Sequence, residues 1–125
     1  MMNKSGKTIG HLFVILFDGE PYTSNTIIVP IDTYRSDKQD KTVILLTGDH
    51  EFITCPSFVN YSLSRITSLT HIGNLIKDGR AKPKTPMREE ILIRIREGVR
   101  KSKRTRNEVL IAYSNHMDRE LNRKP

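Results

Sequence analysis

The sequence predicts an α+β fold in one domain, because strand-like and helix-like patterns are segregated along its 125 residues. Apolar, β-branched runs fill the first three-fifths of the chain. Two amphipathic helical patterns occupy the rest, and a connector punctuated by Gly79, Pro83 and Pro86 separates the two regions. Residues 1–80 are expected to form a β-rich unit. Residues 81–125 are expected to form a basic helical extension packed on the same domain.

Met1–Lys7 is polar and expected to fray. Gly10 to Asp18 reads as a fully buried strand, because its apolar run is continuous rather than alternating. Asp18-Gly19-Glu20-Pro21 is a turn by composition. Thr26–Ile31 is a second strand, broken at Pro30, and Thr42–Leu46 is a third, after the charged loop Ser36–Lys41. Thr47-Gly48-Asp49 makes a turn. Short strands are expected near Glu51–Thr54 and Phe58–Tyr61, and a last strand or mixed turn over Arg65–Ile72. Val14, Ile15, Leu16, Ile28, Val29, Ile44 and Leu45 are the expected core.

Thr85 suits the N-cap of the first helix and Pro86 its first position, with Glu89 and Glu90 near the positive end of the dipole. Met87, Ile91, Leu92, Ile95 and Val99 recur at helical spacing, and Gly98 weakens the helix end. Thr105-x-x-Glu108 has the form of a capping box opening a second helix, whose stripe is Val109, Leu110, Tyr113, Met117 and Leu121.

Charge is unevenly placed. Residues 76–125 hold 15 Lys or Arg against 7 Asp or Glu, whereas residues 1–75 hold 6 against 7. Arg100, Lys101, Lys103, Arg104 and Arg106 place five positive charges in seven residues between the helices. Such a patch captures polyanions in a salt-dependent way, which favours nucleic acid over an anionic membrane or a protein partner as its ligand. No apolar run approaches the roughly 20 residues that cross a bilayer, and no segment of signal-peptide form follows Lys4 and Lys7. The single cysteine allows no internal disulfide, and no Cys/His set has metal-ligand spacing, so a reducing cytoplasm and no metal or other cofactor are expected. There is no glycine-rich phosphate loop and no Gly-x-Ser-x-Gly elbow.

Chemistry-bearing groups concentrate in Gly48–Arg65, which holds His50, Cys55, Ser57, Tyr61 and Arg65 between apolar runs. Three landmarks resemble the MazF/PemK family of toxin endoribonucleases, and more closely a divergent PemK-like branch. They are His11-Leu12-Phe13-Val14-Ile15-Leu16-Phe17-Asp18, Ile27-Ile28-Val29-Pro30-Ile31-Asp32-Thr33, and the Gly48–Arg65 block with its Ser-x-Val-x-Tyr element, Ser57 to Tyr61. The order and spacing suit the family from about His11 to Gly98. The resemblance implies a small SH3-like β-barrel with C-terminal helices, a homodimer, an antitoxin protein as partner, and metal-independent cleavage of single-stranded RNA by its own 2′-hydroxyl.

Roles follow from that reaction. Arg65 would stabilise the charge that develops on the phosphoryl oxygens, and His50 would exchange protons. Thr33, at the family's hydroxyl position, and Ser57 would hold the phosphate, with Arg35 supplying charge. Tyr61 would stack on an unpaired base. Each has a plainer reading: a turn histidine, a surface arginine, a turn cap, a packed tyrosine. His11 could face a groove or merely begin a strand. Cys55 reads as a small buried hydrophobe. The competing function is a non-catalytic barrel that binds nucleic acid or protein through the basic helices. Convergence of Thr33, His50, Ser57 and Arg65 on one groove would favour the enzyme.

Overall fold

The computed structural model describes residues 12–19 and 24–123. The expectations for Met1–Lys7, for His11 and for Glu20 and Pro21 lie outside the described residues. The chain forms β1 (Leu12–Ile15), β2 (Asn25–Thr33), β3 (Ile44–Leu45), β4 (Ser57–Val59) and β5 (Arg65–Ser68), then α1 (Leu69–Lys77), α2 (Glu89–Lys101) and α3 (Asn107–Arg123). A 3-10 turn, Tyr61–Leu63, separates β4 from β5. The α+β class stands. The five strands make one antiparallel sheet that is not closed into a barrel among the described residues.

β2 organises the sheet. One edge bonds β1; the other bonds β5 over residues 25–28 and β4 over residues 31–33. This division explains how the strand runs through Pro30 rather than breaking there. Backbone N and C=O of one strand residue point to the same side, and the Pro30 carbonyl accepts from Asn60 N–H at 2.9 Å. Its missing N–H therefore faces the gap where the partner strand is interrupted, so no ladder bond is lost.

One face of the sheet carries the core. Ile27, Val29, Leu45 and Val59 are fully buried there, against Ile91, Ile95 and Val99 of α2 and Val109 and Tyr113 of α3. The opposite face is partly open, so β1 alternates where a fully buried strand was expected: Phe13 is 41% and Ile15 42% exposed. Ile15 is thus not core and Ile44 is only half-buried, whereas Val14, Leu16, Ile28, Val29 and Leu45 are buried.

Several helical signals were used differently from expectation. Arg65–Ile72 splits into β5 and the start of α1, whose N-cap Ser68 accepts from His71 N–H and whose end is closed by Gly79 at φ 75°. α2 begins four residues after Thr85, because Thr85 is engaged elsewhere: its carbonyl bonds His50 and its hydroxyl bonds Glu51. Thr105 makes no capping box; its buried hydroxyl donates to the Val99 carbonyl at 2.8 Å and folds the α2–α3 turn back on α2.

α2 is seated by Tyr61. The ring is fully buried, its hydroxyl donates to the Ile95 carbonyl at 2.7 Å, and burial pushes its phenol far above the usual range. Gly98 permits this approach, since a Cβ there would stand 1.9 Å from the Tyr61 oxygen and 3.0 Å from Val43 Cγ2. Gly98→Ala is therefore expected to destabilise the fold by about 1–3 kcal/mol through overpacking. Tyr61→Phe alone should cost about 1 kcal/mol. The two costs should sum to more than that of the double variant, since removing the hydroxyl relieves the worst clash. Urea unfolding of the three variants measures this.

Candidate functional site

At the C-terminal end of β2 a groove of about 470 Å³ opens beside the start of β4. Its apolar wall is Leu12, Ile31, Ile53 and Phe52. Its polar wall is Asp32, Thr33, Arg35, Gln39, Thr54, Cys55 and Ser57. Thr33 pairs with Ser57 across β2 and β4, which puts both side chains on one face of the sheet. Among the described residues lining the groove, Arg35 is the one cation and Asp32 the one carboxylate. Asn60 donates to Asp32 Oδ2 at 2.8 Å. Ser57 is buried and donates to the Cys55 carbonyl at 2.9 Å.

Gln39 shapes the groove rim. Its Oε1 accepts from Arg35 N–H at 2.6 Å and Ser36 N–H at 3.0 Å, and its Nε2 donates to the Thr33 carbonyl at 3.4 Å. The loop after β2 is thereby curled so that Arg35 borders the groove. Cys55 is exposed, not buried as expected; its sulfur lies 4.0 Å from Thr33 Oγ1.

Thr33, Arg35 and Ser57 thus converge, whereas His50 and Arg65 do not. Arg65 lies opposite Ile28 in β5 and its guanidinium rests 5.4 Å from the Phe13 ring centroid. Residues 28 and 33 of β2 are five apart, about 17 Å along a strand, and an odd separation puts them on opposite faces. His50 is buried with both ring nitrogens engaged: Phe52 N–H donates to Nδ1 at 3.0 Å, so Nε2 carries the proton and donates to the Thr85 carbonyl at 2.6 Å. It fastens the connector before α2 to the turn after β3. Tyr61, the expected stacking residue, is 0% exposed, and no base reaches its ring.

The five basic residues between α2 and α3 divide by role. Lys101 and Lys103 are exposed. Arg100 lies 5.2 Å from the Tyr113 ring centroid, Arg104 donates to the Lys38 carbonyl at 2.5 Å, and Arg106 donates to the Ser62 carbonyl at 3.0 Å. Buried Asp40 anchors this turn from the sheet side, accepting from Ser102 Oγ at 2.5 Å, Thr42 Oγ1 at 2.6 Å and Thr42 N–H at 3.0 Å. Burial opposes its charge, but the bonds from Ser102 and Thr42 and the nearby Arg104 outweigh it and hold the carboxyl below its ordinary range. Loop 34–40 therefore carries groove residues on one side and receives the basic turn on the other.

Sequence reasoning missed Phe52 and Gln39 as groove residues, and it read Cys55 only as packing. The available signal for Phe52 was an aromatic that directly follows the polar residues Asp49, His50 and Glu51. Among the described residues no three His, Cys, Asp or Glu side chains group as metal ligands, and no helix is long and apolar enough to cross a membrane. No family model, curated protein or solved structure matches the chain.

Because the folded Asp40 carboxyl titrates lower than it would unfolded, its stabilisation is present above the ordinary carboxylate range and is lost as pH falls through the lowered folded value. Asp40→Asn is expected to cost about 1–3 kcal/mol near neutral pH. The variant's deficit should shrink on acidification from about pH 5 to about pH 2, as the native carboxylate protonates. Denaturant midpoints measured across that range test the sign.

Proposed function

We propose that this protein is a metal-independent endoribonuclease of the MazF/PemK type, binding single-stranded RNA in the groove at the end of β2. The observation that carries the reading is the convergence of Thr33, Ser57 and Arg35 at the position where the resemblance expects the phosphate. Arg35 takes the charge-stabilising role first given to Arg65, donating to the phosphoryl oxygens as the 2′-hydroxyl attacks phosphorus. The Thr33 hydroxyl supplies a second donor. Solvent water takes the 2′-hydroxyl proton in place of His50, since the Asp32 side chain alternates to the face opposite Thr33, and water protonates the departing 5′-oxygen. The products are a 2′,3′-cyclic phosphate and a 5′-hydroxyl end.

The basic turn supports the same reading. Arg104 bonds Lys38, one residue from Gln39 of the groove rim, so a strand leaving the groove along loop 34–40 meets Lys101 and Lys103. In the cell this activity fits the toxin half of a toxin–antitoxin pair acting in the cytoplasm, checked by an antitoxin protein and assembled as a homodimer. The finer fold reading, an SH3-like barrel, belongs to the same proposal; β2, bonded along one edge by β1 and along the other by β5 then β4, supports it as the strand around which such a barrel wraps.

A second reading is a non-catalytic RNA-binding module. It is favoured by His50, whose ring nitrogens both bond backbone, and by Arg65 on the far face.

Incubation of the purified protein with single-stranded RNA in chelator, followed by end mapping, is expected to yield cyclic-phosphate ends, and expression should slow growth. Arg35→Ala should reduce the cleavage rate about 10²–10³-fold, whereas Arg65→Ala should leave it nearly unchanged. Binding without cleavage would select the module, and loss of cleavage in Arg65→Ala alone would return the role to the other face. Lys101→Gln with Lys103→Gln should weaken binding across sequences and lower the slope of log affinity against log salt by about 1.4, at about 0.7 per phosphate contact. An unchanged slope would move the phosphate path elsewhere.

A further inference from the structure

We propose that Phe52 is the platform on which an unpaired base of the bound RNA stacks, with Lys84 taking an adjoining phosphate. The inference rests on the groove being the RNA site. Phe52 is the one aromatic side chain among the described residues that line the groove, and it is 44% exposed although its neighbours Ile31 and Ile53 are buried. A large apolar ring left open beside a polar wall offers a π-face that every base can use. The Lys84 ammonium lies 5.1 Å from the ring centroid, which places a positive charge at the stacking position. The backbone that carries the ring is bonded into the turn. Phe52 N–H donates to His50 Nδ1 at 3.0 Å, and Ile53 N–H donates to the His50 carbonyl at 3.0 Å. A volume of about 470 Å³ suits a small organic ligand such as one nucleotide. Gln39 and Thr54 lie in the same lining, where amide and hydroxyl groups can bond a base edge. The groove would then hold one splayed base against Phe52 and its phosphate against Arg35, which requires a single strand and rejects a duplex.

The test uses the full chain and a single-stranded RNA carrying 2′-O-methyl groups, which block attack. A second oligomer of equal length and charge has abasic units throughout, and a third carries 5-iodouracil for photocrosslinking. The expected results are a crosslink at Phe52 and weaker binding of the abasic oligomer. Phe52→Leu should weaken binding of the RNA at least about fivefold. Phe52→Tyr should retain the affinity. The slope of affinity against salt should stay the same in Phe52→Leu, because a ring contacts no phosphate, and it should fall in Lys84→Gln. Thermal midpoints of the variants identify any loss due to unfolding, and the Tyr variant restores the ring if Leu proves unstable. Equal affinity for the abasic oligomer, or unchanged affinity in a folded Phe52→Leu, overturns the platform while leaving the groove as a phosphate site. No binding of any oligomer by the unmodified protein overturns the platform together with the RNA reading beneath it.

Discussion

The seat of α2 on Tyr61 is the contact on which the rest of this structure depends. The 3-10 turn that follows β4 delivers the ring into the core, and Gly98 leaves no Cβ to hold the helix away. With α2 at that height, Ile91, Ile95 and Val99 cover Ile27, Val29, Leu45 and Val59 of the sheet. The same height brings Ser102, at the helix end, within reach of Asp40. Glycine inside a helix ordinarily costs about 1 kcal/mol against alanine; here the close approach outweighs that loss by letting a phenol reach a carbonyl and three β-branched side chains reach the sheet. The hydroxyl and the missing methyl act together, so neither residue's composition alone shows its role.

From that seat the geometry passes to the groove through loop 34–40. Asp40 fixes the C-terminal end of the loop to the α2–α3 turn, Arg104 bonds Lys38 in its middle, and Gln39 ties its start to the end of β2. Two arginines of the basic run therefore serve the fold as well as the field. An arginine that donates one N–H to a backbone carbonyl keeps further donors and its full charge. A basic cluster with the charge to attract a polyanion is thus also the fastening of the helical pair. Substitution of Arg104 or Arg106 would confound binding with stability, which is why the lysines are the cleaner probes of electrostatics.

The sequence showed much of the architecture and less of the site. Apolar runs placed β1, β2 and β3, helical spacing placed α2 and α3, and Pro86 with Gly79 bracketed the connector. The misreadings share one cause: a local signal with two possible partners. Thr85 and Thr105 carry the side chains of N-caps, yet the Glu51 carboxylate and the Val99 carbonyl took them, because these acceptors come within reach only in the fold. Pro30 reads as a strand breaker until the interruption between β4 and β5 is known. α1 was missed because it spans only nine residues between Ser68 and Asp78, and no residue of that helix is fully buried. That Thr33 and Arg35 lie together on the groove was legible because both adjoin a recognisable strand end. His50 and Arg65 were not separable from them by sequence, since neither sheet register nor ring-nitrogen partners can be read from spacing.

Register also decides which arginine can approach Thr33. A guanidinium reaches several ångströms from its backbone, which is enough to span neighbouring strands but not to pass through a sheet. Arg65 would have to cross the plane of β2 and cover about 17 Å along it, and its present place against Phe13 satisfies its charge over an aromatic face. Arg35 needs neither movement. It follows Thr33 by two residues, on a loop whose backbone N–H groups are bound by a single glutamine, so charge and hydroxyl are delivered together by one local structure. A site assembled from one strand end and its following loop keeps its geometry even where the sheet opens. That independence lets the strand end and its loop hold the shape of the groove while the histidine and arginine farther along the chain serve the fold.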